Sequence, residues 1–223
     1  ASISPYGGTP GAQNSVFREN PDNEPPFAQR IEIETGSSLI LHFSEPMDSV
    51  LLFDAAAYEI ENFGNPDSAL PVWPDYARVR LVFENYFESS TVYTLKIVDE
   101  HFADCTGNPI DLSVYVSFGL PEELMENDIV INEVLFNPSD QYVDGVDFVE
   151  IINRSQKILD LNDLLLCTED EETGELDSPK EVSQEGYLFF PGEYLVLTTK
   201  PDIVKTQYFT DNPEGFIPME SMP

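Results

Sequence analysis

From Arg30 to Phe118 the chain is a succession of short apolar runs cut by turn formers, and helical periodicity is weak throughout that stretch. Ile31–Ile33 alternates with Glu32 and Glu34, and Leu39–Phe43 follows after Gly36-Ser37-Ser38. Further runs lie at 58–60, 78–83, 92–98 and 114–118, separated by Gly64-Asn65-Pro66-Asp67 and Thr106-Gly107-Asn108-Pro109. Strands this short, with polar turns between them, bury one face each and predict an all-β fold. A second set begins at Asp128, with strand candidates at 128–136, 147–152, 164–167, 187–190 and 193–198. One short helix is expected over Pro201–Tyr208.

The charge sets limits on partners. Asp and Glu number 42 against 10 Lys and Arg, a formal net charge of −32. Such a surface repels phosphate backbones and anionic lipid heads, so nucleic acid is excluded as a partner class. No run of apolar residues reaches the ~18–20 that a membrane span needs. Hydrophobic residues at 41% are enough for a packed core. Cys105 and Cys167 are too few for a disulfide framework and lack metal-ligand spacing. They read as separate free thiols, with an interdomain disulfide as the alternative, and Cys167, at the end of an apolar run, as a small core residue. The chain opens without an initiator Met, as a processed chain does.

These runs divide the chain into an N-terminal segment (1–26), a first module (27–120), a linker (121–127) and a second module (128–223). The expected architecture is two Ig-like β-sandwich modules in tandem. The run Leu-Ile-Leu-His-Phe-Ser-Glu-Pro-Met at Leu39–Met47, with the Asp104–Asn108 turn, resembles bacterial Ig-like domains of the S-layer type. In that turn Gly107 and Asn108 are expected to take positive φ. Ile131-Asn132-Glu133-Val134, Asp147–Ile151, Asn153-Arg154-Ser155, Asp160-Leu161 and Tyr194–Leu197 resemble the lamin tail domain. That resemblance implies a non-catalytic attachment module, outside the cell or on its surface. It covers only the front of such a domain, and Ser2–Ser15 resembles the end of one. Residues 1–16 are therefore expected to dock on residues 128–200, within the chain or by strand exchange with a neighbouring copy.

Few residues suggest chemistry. His42 and His101 are the only histidines, and no nucleophile, phosphate-loop or metalloprotease motif accompanies them, so both are read as structural or surface residues. Asp140, Asp144 and Asp147 share a loop with Gly145 and offer oxygen ligands for calcium, although their spacing is not that of an EF-hand. A solvated acidic loop is the alternative. Glu169–Glu175 reads as a hairpin tip. Trp73 and Tyr76, flanked by Pro71 and Pro74, form either a platform for a sugar ring or ordinary loop packing. Asn153-Arg154-Ser155 fits the glycosylation acceptor pattern and also reads as a turn. No cofactor is implied beyond calcium. The expected function is that of a structural or adhesion module with an unknown protein or glycan partner. The alternatives are an accessory carbohydrate- or calcium-binding module, or a piece of an enzyme whose catalytic part lies elsewhere.

Overall fold

A computed structural model describes residues 22–136, 145–162, 164–183 and 185–223. The chain is all-β and of sandwich type. In chain order the first strands are β1 (Ala28–Thr35), β2 (Ser38–Phe43), β3 (Tyr58–Ile60), β4 (Ser68–Pro71), β5 (Arg78–Val82), β6 (Tyr93–Ile97) and β7 (Val116–Phe118). They form two sheets, ordered β1-β2-β5-β4 and β3-β6-β7. Alternation in β2 sends Leu39, Leu41 and Phe43 into the first core, with Leu81 of β5 and Leu95 of β6. Phe87 ties the cluster together, meeting Phe63, Phe83, Tyr93 and Phe118 at ring separations of 5.0–5.4 Å. Each such pair adds about 0.5–1.5 kcal/mol beyond area burial.

The later strands are β8 (Ile129–Leu135), β9 (Phe148–Asn153), β10 (Leu159–Asp160), β11 (Leu165–Glu169), β12 (Leu176–Glu181), β13 (Leu188–Phe189), β14 (Tyr194–Thr198) and β15 (Phe216–Pro218). The main sheet runs β15-β14-β9-β8, with β15 parallel to β14. Its inner face carries Val149, Ile151, Leu195 and Leu197, which pack against Leu159, Leu161, Val182 and Phe189. Phe148 and Val196 turn to the other face, toward Val204 of helix α1 (Pro201–Gln207). Pro201 supplies the preset φ of a first helical residue there, and Asp202 complements the helix dipole.

Several details differ from the sequence reading. Two short 3₁₀ turns, Leu51–Phe53 and Ala55–Ala57, interrupt the first set of strands. The acidic run at 169–175 does close the β11–β12 hairpin as the sequence suggests, and Asp170 accepts there from the Glu172 and Thr173 amides. In the Asp104 turn Gly107 takes φ +94, but Asn108 is absent from the positive-φ residues and works by donating hydrogen bonds. Cys167 is only half-buried, so it is not the core residue that its apolar neighbours suggest.

No described sheet combines strands from both sides of residues 121–127. The two cores nevertheless touch. Ile158 and Leu188 belong to the first core's cluster, with Leu120 and Phe190 packed against it. The Glu122 amide donates to the Ile158 carbonyl at 2.8 Å. Lys157 Nζ reaches Asp128 at 2.8 Å and the Glu123 carbonyl at 3.1 Å. Burying one side chain of Ile158's size contributes about 1.5–3 kcal/mol.

Candidate functional site

The densest polar cluster lies on the outward face of the first sheet. Arg30 of β1 registers with His42 of β2, and His42 registers with Arg78 of β5. The three side chains therefore form a row across neighbouring strands on the face turned away from the first core. Glu185, from the loop before β13, inserts its carboxylate into that row. Arg30 Nη2 donates to Glu185 Oε2 and Arg78 Nη1 to Glu185 Oε1, both at 2.6 Å. Arg30 Nη1 also donates to the Gly186 carbonyl at 2.7 Å, and its guanidinium lies 5.7 Å from the centre of the Tyr187 ring.

His42 is 6% exposed and sits between the two guanidiniums. Burial, then the charges of Arg30 and Arg78, push its pKa down to about 3, so the ring is neutral near pH 7. Its Nε2 is 3.2 Å from Glu32 Oε2. Burial, with Glu185 and Glu34 nearby, raises the Glu32 carboxyl above its usual range despite the opposing pull of Arg30.

Glu32, His42 and Glu185 each offer one ligand atom within 4.8 Å of the others. The set is nonetheless a poor metal centre. Both oxygens of Glu185 already accept from guanidiniums, and two fixed positive charges repel any cation entering between them. The arrangement is an ion-pair clasp holding Glu185 and Gly186 against the first sheet. A cleft of about 710 Å³ opens beside it, with Arg30, Lys180, Glu185, Tyr187, Phe216 and Met219 in its wall.

A second acidic group joins Asp22, Glu45 and Asp104 within 4.8 Å. Asp104 is 3% exposed, and its carboxylate accepts from the amides of Thr106 and Asn108 and from the Asn108 side chain, each at 2.8 Å. Burial alone would raise its pKa, but these hydrogen bonds bring it to about 2. Its oxygens serve the turn and leave little for an ion.

The residues singled out from sequence lie apart from the clasp, His42 excepted. Asp140 and Asp144 fall outside the described residues, as do residues 1–16 and their expected docking. Asp147 is exposed, and its carbonyl accepts from Thr198 Oγ1 at 2.8 Å. Trp73 is 76% exposed on the turn between β4 and β5, whereas Tyr76 packs partly on the first core. Among the described residues no ring contact joins the two. His101 is exposed, and its hydrogen bond from Nδ1 to Asp99, at 2.8 Å, raises its pKa. Asn153 is fully buried and donates to the Lys157 and Phe189 carbonyls at 2.9 Å, so it organises a turn and offers nothing to a glycosyl donor.

The sharpest polar feature of this all-β, sandwich-type chain is the clasp between Glu185, from the loop before β13, and the outward face of the first sheet. No family model matches the chain, and no curated protein matches it. Among solved structures it is similar to the S-layer protein rSbsC(31-844), with TM-score 0.39 and 10% identity over 78% of this chain and 32% of that one. The N-terminal part of the bacterial S-layer protein SbsC gives 0.38 and 12% over 76% of this chain and 45% of that one. Domains 1–6 of surface layer protein SbsC give 0.37 and 14% over 78% and 23%. The chain thus spans less than half the length of each, and all three scores lie below 0.5.

Proposed function

We propose that this chain is a non-catalytic structural or adhesion segment of an extracellular or cell-surface protein, built from two modules with a boundary at residues 121–127. The observation that carries the reading is the clasp. An Arg–His–Arg row on the first sheet grips the Glu185 carboxylate, and Ile158 and Leu188 pack in the first core's cluster. Such a junction fixes the relation between neighbouring units, which is what a spacer or scaffold needs. Catalysis has no comparable support, since His42 is neutral, buried and held between charged neighbours, and His101 stands on the surface. Esters, glycosides, peptides and phosphate esters should give no turnover above background. A turnover abolished by Arg30→Ala, beside the cleft, would overturn the proposal.

The exposed indole of Trp73 favours a second reading, an accessory sugar-binding surface. Glycan binding lost in Trp73→Ala supports it, and binding that survives the change removes it. A calcium role for Asp140, Asp144 and Asp147 is likewise a proposal. Calorimetry at millimolar calcium is expected to show heat in the wild type and none in Asp144→Asn.

A further inference from the structure

β8 is the outer strand of its sheet, and among the described residues it pairs only with β9. The register between them slips between Ile131 and Glu133, leaving Asn132 as an extra residue. Ile131 then stands opposite Ile151 and Val134 opposite Val149. The slip therefore turns both Ile131 and Val134 to the face that carries the second core, where Ile151 and Val149 are 3% and 8% exposed. Yet Ile131 is 53% and Val134 51% exposed. Along β8, apolar side chains at core register are thus exposed beside an edge that no strand among the described residues pairs. Such an edge accepts another strand.

Charge decides which strand. Glu133 registers with Glu150 on the opposite face, Glu150 Oε1 accepts from Asn132 Nδ2 at 2.6 Å, and no ion pair among the described residues engages either carboxylate. A second copy would bring another net −32 to the same edge, repelling at the moment of approach. We infer that β8 receives an extended segment of another protein by strand addition. Its apolar side chains cover Ile131 and Val134, and its Lys or Arg side chains meet Glu133 and Glu150. Main-chain hydrogen bonds along β8 supply affinity, and the alternation of apolar and basic residues supplies selectivity. The inference is independent of the clasp, which lies on the first sheet.

The probe is an acetylated octapeptide alternating Val and Lys, titrated against the full chain at 0.15 M NaCl by fluorescence anisotropy. Two control peptides replace Val by Gly or Lys by Glu. The Val/Lys peptide is expected to bind at least about tenfold more tightly than either control. Val134→Glu adds negative charge yet removes apolar cover, so it should weaken the Val/Lys peptide by about tenfold. Ile131→Thr, which keeps strand propensity, should weaken it in the same direction, with circular dichroism confirming the fold of both variants. Equal binding of the Gly/Lys peptide, or tighter binding by Val134→Glu, would mean simple charge attraction and overturn the inference. A dimer of the chain that the peptide dissociates would make the second copy the occupant, with the same consequence.

Discussion

Glu185→Ala removes the carboxylate that two arginines share. Each bond is charge-assisted, and such bonds contribute about 1.5–3 kcal/mol when well protected from water. The side chains of Arg30, Arg78 and Glu185 are 24%, 28% and 42% exposed, so solvent screens part of this. A discounted value of about 1 kcal/mol per bond gives a loss near 2 kcal/mol for the pair. The variant also leaves two guanidiniums flanking His42 without the carboxylate they share. Against this stands the small relief from deleting one negative charge in a chain of net −32. Glu181→Ala, at an exposed position in the same segment, measures that relief alone and is expected within about 0.5 kcal/mol of wild type. The assay is urea unfolding at pH 7, in a double-mutant cycle with Arg78→Ala. The cycle should return a coupling of about 1 kcal/mol that survives 0.5 M NaCl, since screening acts weakly on partly buried pairs. If Glu185→Ala behaves like Glu181→Ala, or the cycle is additive, the clasp does not hold the units.

Lowering the pH tests His42. Its folded pKa of about 3 lies below the unfolded 6.5, so between those values the unfolded chain binds more protons and stability falls as pH falls. The slope should approach about 1.4 kcal/mol per pH unit in that window, offset in part by Glu32, whose raised pKa acts in the opposite sense; His42→Gln should lack the steep part. Equal slopes would remove the histidine from the account. Asp104→Ala strips two backbone amides of their acceptor and is expected to cost about 2–4 kcal/mol by denaturant titration. Because the Asp104 pKa is depressed from 3.8 to about 2, its contribution is present above the unfolded value and is lost as the pH falls from there through about 2. Gly119→Ala would place a Cβ 2.6 Å from Ile158 Cδ1 and from the Thr91 carbonyl, so overpacking should destabilise the chain by about 1–3 kcal/mol. An unchanged melting temperature would show that the junction yields.

The class of fold was legible because β-strands announce themselves locally. Leu39–Phe43, Phe148–Asn153 and Tyr194–Thr198 carry their apolar residues at the strand period or in unbroken runs. β12 was not, since Leu-Asp-Ser-Pro-Lys-Glu holds one apolar residue besides proline, and only its pairing with β11 makes it a strand. β15 is three residues long and is held by β14. The clasp was invisible for a different reason. Arg30, His42 and Arg78 are distant in sequence and become neighbours only through the registers of β1, β2 and β5. A hint was available, because cations are scarce in this chain and three of its arginines, Arg30, Arg78 and Arg80, occupy outward positions on predicted strands. Nothing local marked Glu185 among so many acids.

The central claim is that the two cores form one rigid unit, and residual dipolar couplings of the full chain in dilute alignment medium test it most directly. Amides of β2, β5 and β6 report the first core, and those of β9 and β14 the second. The account predicts that one alignment tensor fits both sets, with the orientation fixed by Glu185, Ile158 and Leu188. It predicts further that Glu185→Ala separates the set into two tensors of different magnitude. Two tensors in the wild type would mean that the units move independently, and would contradict the claim.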